Sequence, residues 1–501
     1  MTAPKTPYSD ASDIIEEKKK TEEKEIEKIM EEKKVDMEQA WIIYQRRKEE
    51  KYVDEQHAKT KKEEKTPQPI KKVLQGDKDK STLENVYKTA KKWLGIRKID
   101  TDRIDIILAT TLSNQLPGTP IWLFIVGPSG DWKTTFAMTL NGLDNVIKID
   151  QLTKNTLASG MKNAKDLGAE LHDSSHVLLF LDLASITSAN KEEKNIIWGQ
   201  FRTLYDGNIY KRTGCDVKKE YENCHVTIIA CTTESIRSEV LVHAQLGTRE
   251  LMYDTDADPI DNHFKMDKAW DNENYEEDMK KELTESVTNF INWHPVKKDI
   301  EIPKEIKKFL KDEAQKLTIL RAGGSVDRIY RELINPISPE VPTRLIKQLK
   351  RLYICLKSLD DHYPDKKAKQ IISHLIISSG DKVRQMVIKF LANNSDKEFK
   401  ISDVQQALKI GRNSVKTQLE QLWNLDVINK DVREERVGAY VVGSGEYEEM
   451  RGGHIENVSY YSYNTDNKRY RVTPHLKKSR TVEQYNVDNI DDTHTGGVND
   501  G

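Results

Sequence analysis

The sequence predicts an α/β core on a largely parallel sheet, then an all-helical segment and a small helix-and-ribbon unit, with a charged arm in front. Three observations predict it. Apolar runs of buried-strand length, Ile121–Val126, Val177–Leu181 and Val226–Ala230, alternate with helix-compatible stretches. The first run feeds directly into the loop G-P-S-G-D-W-K-T-T. From about residue 270 strand signals give way to helical periodicity, which ends in a helix, helix, turn, helix and ribbon pattern.

Composition bounds the reading. A chain of 501 residues has room for two or three domains. A net charge of −2 excludes a uniformly basic nucleic-acid coat but allows local basic patches. Charged residues make up 32%, and the excess sits in the first 80 residues. The four cysteines, Cys215, Cys224, Cys231 and Cys355, form no C-x-x-C pair, so neither a zinc site nor a disulfide framework is signalled. That usage suits a reducing cytoplasm. No apolar run approaches the length of a membrane span.

Residues 1–80 are a Lys/Glu-rich arm with Ile26, Met30, Met37, Trp41 and Tyr44 at helical spacing. It reads as a solvated helix or a disordered segment, or else as a partner-binding or coiled-coil helix through Ala40–Tyr44. At Ser81 a capping-box spelling with Glu84 opens a helix, and a second runs from Asp102 to about Gln115. The core, 81–265, is then organised by Ile121–Thr135. Strand, glycine-bearing loop, lysine and hydroxyl in that order spell a phosphate-binding P-loop. Gly127, Pro128, Ser129, Gly130, Asp131, Trp132, Lys133, Thr134 and Thr135 are its candidate nucleotide contacts, with Trp132 where most such loops have a second glycine. In such a loop the lysine would neutralise the β- and γ-phosphates of a nucleotide, and the Thr134 hydroxyl would ligate Mg²⁺. Asp182, ending the Val177 run, falls at the interval expected for the carboxylate that orders the metal.

Lys194–Tyr205 reads as a helix, and Asn208–Gly214 as one arm and the tip of a hairpin. Val226–Ala230 is a strand ending in Thr232-Thr233-Glu234, and Leu246-Gly247-Thr248-Arg249-Glu250 follows. Residues 266–379 read as a helical lid, with Arg344 at the start of one helix after Pro342. Residues 380–443 spell a winged helix, with Ser402 as the N-cap of its second helix and a charged tip over Asn429–Arg436. Its third helix would present Arg412, Asn413, Lys416, Thr417 and Gln418 to base edges or phosphates, although the same fold also serves protein binding. Residues 444–501 read as a disordered tail.

Taken together these segments resemble an AAA+ ATPase, and more narrowly the minichromosome maintenance (MCM) helicases and their phage and mobile-element relatives. Four features carry the likeness. Gly127, Gly130, Lys133 and Thr134 fit the family's G-x-x-G-x-x-K-[ST] loop, which lacks a glycine before the lysine. Q-F-R-T-L-Y-D-G-N-I-Y-K-R-T-G at Gln200–Gly214 resembles the helix and hairpin before sensor 1, which makes Lys211 and Arg212 DNA contacts. L-G-T-R-E-L at Leu246–Leu251 resembles the segment of the trans-acting arginine finger and nominates Arg249. P-E-V-P-T-R-L-I-K-Q-L at Pro339–Leu349 resembles the sensor-2 helix and nominates Arg344. Thr233 takes the sensor-1 position.

The resemblance implies an ATP-dependent DNA helicase or translocase acting in the replication of a prokaryotic cell or mobile element. It also implies a homo-oligomer, a hexamer in the family, with ATP and Mg²⁺ as cofactors and single-stranded or forked DNA as partner. Two departures stand out. Leu183 follows Asp182 where the family has the glutamate that polarises the attacking water, which leaves Glu192, Glu193 and Asp206 as unranked candidates. No N-terminal oligonucleotide-binding barrel with a zinc site is present in the sequence. An initiator or helicase loader that uses ATP as a slow switch is therefore the first alternative. A non-enzymatic DNA-binding protein with a degenerate loop is the second.

Overall fold

The computed structural model describes residues 81–96, 101–161, 165–183, 186, 188–212, 218–238, 248–255, 259–327, 333–442 and 449–464, together with positions 29, 30, 32, 37, 41 and 44. The chain divides into two compact units, Met1–Gln68 and Pro69–Gly501. The described positions of the first unit are helical, with Ile29 and Tyr44 buried and Met37 and Trp41 exposed. Ile26 and the rest of the proposed partner-binding stretch lie outside the described residues, as do positions 465–501 of the expected tail. Everything below concerns the second unit.

Two helices come first, α1 (Leu83–Leu94) and α2 (Thr101–Ser113). The cap of α1 lies one residue later than the sequence suggests: Thr82 Oγ1 accepts the Asn85 N–H at 3.2 Å, while Ser81 is buried. The strands β1 (Trp122–Val126), β2 (Val146–Ile149) and β3 (Ser175–Phe180) follow, with the short helix α3 (Lys133–Met138) after β1 and α4 (Leu167–Leu171) before β3. Next come α5 (Lys191–Tyr205), capped by the Asn190 side chain, the hairpin β4 (Ile209–Arg212) and β5 (Lys218–Tyr221), and the strands β6 (His225–Thr232) and β7 (Glu250–Asp254). The hairpin apart, these strands form one five-stranded, all-parallel sheet in the order β2-β3-β6-β1-β7.

Both faces of the sheet are covered, as an all-parallel sheet requires. The two-residue period of a strand divides its side chains between two apolar clusters. Leu123, Ile125, Val177, Leu179, Ile229, Cys231, Leu251 and Tyr253 pack against α1, α2 and the later helices. Trp122, Phe124, Val126, Leu178, Phe180, Ile228, Ala230 and Met252 pack against α5 and the chain from Leu152 to Ala158. The strand β7 escaped the sequence reading, because its apolar residues Leu251-Met252-Tyr253 are few and lie between charged neighbours.

The helical segment comprises α6 (Pro259–Asp271), α7 (Glu276–Trp293), α8 (Lys304–Arg321), α9 (Thr343–Lys357) and α10 (Asp365–Ser378). The expected boundary at 265/266 falls inside α6. The helices α7 to α10 share the apolar cluster of one sheet face and so form no separate core among the described residues. The end of α10 also closes the exposed edge of β7. Ser379 Oγ accepts the Met252 N–H at 2.7 Å and Ser378 Oγ accepts the Asp254 N–H at 3.1 Å, which satisfies strand groups that would otherwise stay open.

The last described elements are α11 (Lys382–Asn393), α12 (Ile401–Leu408), α13 (Arg412–Asn424) and a ribbon of β8 (Ile428–Val442) paired antiparallel with β9 (Glu449–Tyr463). Two expectations are corrected here. Ser402 is not the cap of α12; the helix starts after Lys400, whose N–H donates to Asp403 Oδ2 at 2.8 Å. The charged residues 429–436 are not a tip but the first half of β8, and the expected tail from 444 contains β9 over Glu449–Tyr463. Tyr461, fully buried, anchors that strand through a bridge to Phe399. Among the described residues no helix is long and apolar enough to cross a membrane.

Candidate nucleotide and nucleic-acid sites

The sheet register brings the predicted phosphate-site residues to one edge. Ala230 of β6 lies between Phe124 of β1 and Phe180 of β3. Gly127, Thr232-Thr233 and Asp182 therefore leave the sheet side by side at the C-terminal ends of their strands. Connections diverge there, since the chain leaves β1 toward β2 and leaves β6 across β1 toward β7, and such a point opens a crevice for ligands. Cys231 lies beneath this edge. Burial pushes its thiol up to about 12, against the opposing pull of Lys133, the Thr134 hydroxyl and Arg103, with the charge of Asp182 adding to the rise.

The loop itself is ordered by a few contacts. The Gly127 N–H donates to Thr232 O at 3.2 Å, and a Cβ at Gly127 would meet Thr255 Oγ1 at 1.9 Å. Lys133 is buried, and its Nζ donates to Pro128 O at 2.6 Å, folding the ammonium back into the loop. Pro128, Ser129 and Gly130 are exposed, Gly130 at φ 79 with open space where a Cβ would sit, and Thr134 and Thr135 are half-buried. Among the described residues the N–H groups of Ser129 to Trp132 donate to no backbone carbonyl. Those of the first turn of α3 have no carbonyl four residues back. A row of such donors around a buried lysine suits a phosphate group.

Asp131 stands differently from the other loop residues. Its carboxylate is buried and pairs with Lys265 of α6, and Arg103 of α2 approaches Oδ2 at 3.1 Å. The side chain therefore faces the protein, which leaves the Asp131 backbone N–H as the group that could contact a nucleotide. Trp132 has φ 51 and ψ 0, the left-handed conformation that glycine normally supplies. Thr233 is exposed, its hydroxyl 3.0 Å from Ser235 Oγ.

Arg249 and Arg344 occupy the other end of the sheet. Their guanidinium carbons lie 5.6 and 5.7 Å from the centre of the Tyr205 ring, which itself packs edge-on against Trp122, the first residue of β1. Arg344 Nη1 donates to Thr248 O at 3.2 Å, and Arg249 Nη2 is 3.6 Å from Asp206 Oδ2. The phosphate loop begins after the last residue of β1, a strand length of about 13 Å away. Arg344, nominated at the sensor-2 position, thus does not face its own chain's loop. Asp206 goes with it and is removed as a base for that loop. Burial first, and then the neighbouring charge of Arg344, holds the Arg249 guanidinium below its usual range. Two cations lie against one aromatic ring, an arrangement that an anion would relieve.

The predicted DNA contacts are less uniform. Lys211 Nζ donates to Ala158 O at 2.7 Å and to Asn155 Oδ1 at 3.0 Å, so it ties the hairpin to the neighbouring loop. Opposite it, Lys219 pairs with Asp166, whose pKa burial tends to raise but the lysine and Ser159 bring down overall. Arg212 is exposed and pairs loosely with Glu220 at 3.3 Å. On α13, Arg412 and Asn413 are exposed and Lys416 is half-buried. They flank a cleft of ≈ 620 Å³ lined by Ser402, Gln405, Gln406, Lys409, Ile410 and Gly411. Gln418 does not point outward as expected. Its Oε1 accepts Arg384 Nε at 2.9 Å, because the buried Arg384 also caps the end of α8 through Ile319 O at 2.8 Å.

Arg103, Lys265, Thr255, Cys231 and Tyr205 went unpredicted as parts of these sites. Only Tyr205 had a signal, lying inside the quoted 200–214 block. No family model matches the chain, and no curated protein matches it.

Proposed function

We propose that the chain is an ATP-dependent DNA translocase or helicase of the AAA+ class, resembling the MCM helicases, that works as a head-to-tail ring. One observation carries the reading: Lys133, Thr134 and Asp182 gather at one end of the sheet, while Arg249 and Arg344 gather at the other. A second copy stacked head to tail presents its arginine pair to the first copy's loop, and such heterologous contacts close into rings. The order β2-β3-β6-β1-β7 supports an AAA+ core, with β6 inserted between the loop strand and the Asp182 strand. The α11–α13 helices with the ribbon support a winged helix.

On this reading ATP and Mg²⁺ supply the reacting phosphate and its counter-charge. Lys133 holds the phosphate charge, Thr134 and Asp182 position the cation, and Thr233 stands where it can sense the terminal phosphate. Arg249 and Arg344 of the next copy stabilise the charge that develops during transfer. Arg212, Arg412, Asn413 and Lys416 contact DNA, with Lys211 holding the hairpin in place. The test is DNA-stimulated ATPase for wild type, Lys133→Ala and Arg249→Ala. Both variants lose turnover on this account; normal turnover by Arg249→Ala, or an inactive wild type, contradicts it.

A specific observation favours the slow-switch alternative. Leu183 is buried in the apolar cluster beneath the sheet, so its position offers no place for a water-polarising carboxylate. On that reading the chain is an initiator or loader that binds ATP tightly and hydrolyses it slowly. Unwinding of a forked duplex decides against it.

A further inference from the structure

The phosphate loop carries a backbone conformation that its sequence does not favour. Trp132 is left-handed, at φ 51, and Lys133 follows it directly. An L-residue stays in that region only where its surroundings hold it. Two side chains, Arg103 and Lys265, hold it. Arg103 Nη1 donates to Asp131 O at 2.8 Å, which fixes the peptide plane between Asp131 and Trp132, the plane from which the φ of Trp132 is measured. The same guanidinium reaches Asp131 Oδ2 at 3.1 Å, and Lys265 binds Oδ1 from α6. Asp131 is 5% exposed, so this ion cluster is shielded from solvent screening. Two elements distant in sequence, α2 and α6, thus converge on the one residue that precedes the strained position.

We propose that Asp131, gripped by Arg103 and Lys265, is the positioning residue of the phosphate loop, enforcing at Trp132 the backbone that a glycine adopts unaided. The proposal rests on the reading of this loop as an ATP site. The Asp131 carboxylate faces the protein and not the loop's ligand side; it acts through the backbone of Trp132 on the direction of Lys133 and of the loop N–H groups. An ion pair that merely stabilised the fold would be indifferent to the residue at 132, and that difference makes the proposal testable.

The experiment is a double-mutant cycle of Asp131→Asn and Trp132→Gly on the full chain, read by calorimetric titration with ATP and Mg²⁺ and by amide hydrogen exchange over 127–135. In the Trp132 background, Asp131→Asn weakens binding by a factor of about 5 to 30, the range set by the cost of left-handed backbone for an L-residue. It also speeds exchange at Trp132 and Lys133. In the Trp132→Gly background the same substitution changes binding less than about twofold, because glycine holds that conformation without strain. Lys265→Met, measured in both backgrounds, probes the same cluster from its more accessible side should Asp131→Asn fold poorly. An equal effect in both backgrounds, or none in either, overturns the proposal. If the wild type binds no ATP the nucleotide reading fails, and the exchange cycle alone still decides whether Asp131 sets the loop.

Discussion

Replacing Gly127 by alanine tests how closely the start of the loop is packed. The added Cβ lies 1.9 Å from Thr255 Oγ1 and 3.2 Å from Thr255 Cβ, so one of the two residues must move. Thr255 cannot move freely: it is 5% exposed, its N–H donates to Val126 O at 2.8 Å, and its β-branch restricts χ1. Overpacking of this kind costs about 1–3 kcal/mol. Thr255→Ala alone costs little, since Thr255 Oγ1 has no hydrogen-bond partner. The double variant regains most of the loss but not all, because the Cβ contact remains tight. Equilibrium urea unfolding measures this as a shift in midpoint at constant slope. A coupling energy of about 0.5–3 kcal/mol between the two sites is expected. Wild-type stability for Gly127→Ala, or strict additivity with Thr255→Ala, refutes the packing argument.

Other expectations follow from the same contacts. Burial raises the Asp102 carboxyl to about 6, although Lys367 lies 3.6 Å away. A carboxyl raised on folding contributes most below its unfolded value of 3.8 and loses that contribution as pH rises to about 6. Asp102→Asn should therefore gain on wild type across that window, by on the order of 3 kcal/mol, and hold a constant advantage above it; thermal unfolding from pH 4 to 8 checks this. Arg384→Met leaves Ile319 O, Ala322 O and the amide oxygens of Gln418 and Gln421 without their donor, and should cost about 3 kcal/mol or more. A thermal midpoint unchanged from wild type counts against it. Arg212→Ala should lower the salt dependence of DNA binding by about one unit of log–log slope. Lys211→Ala should instead loosen the hairpin, seen as faster amide exchange at Ala158 and Ile209 with the salt slope unchanged.

What the sequence disclosed and what it hid have physical causes. The loop strand was plain because a run buried on both faces has no polar residue to blur it. The strand β7 was hidden because its edge is closed by Ser378 and Ser379, which no pattern near residue 250 announces. The motif nominated Arg344, but only the packing of Tyr205 on Trp122 puts it at the far end of the sheet. Helical spacing placed Gln418 outward, and the buried Arg384 drew it inward. Trp132 was legible as a missing glycine, yet nothing local reveals that the left-handed backbone persists without one. The ribbon's second strand was obscured by its Gly452-Gly453 pair and polar spelling.

The split of the site between opposite ends of one chain is the central claim, and mixing two defective variants tests it most directly. Lys133→Ala keeps its arginine pair, and Arg249→Ala keeps its phosphate loop. Each alone is inactive on this account. Mixed in equal amounts, they form interfaces that join an intact loop to an intact Arg249, about a quarter of all interfaces in a randomly assembled ring. DNA-stimulated ATPase should then rise to about that fraction of wild type. A mixture no more active than its separate components contradicts the account.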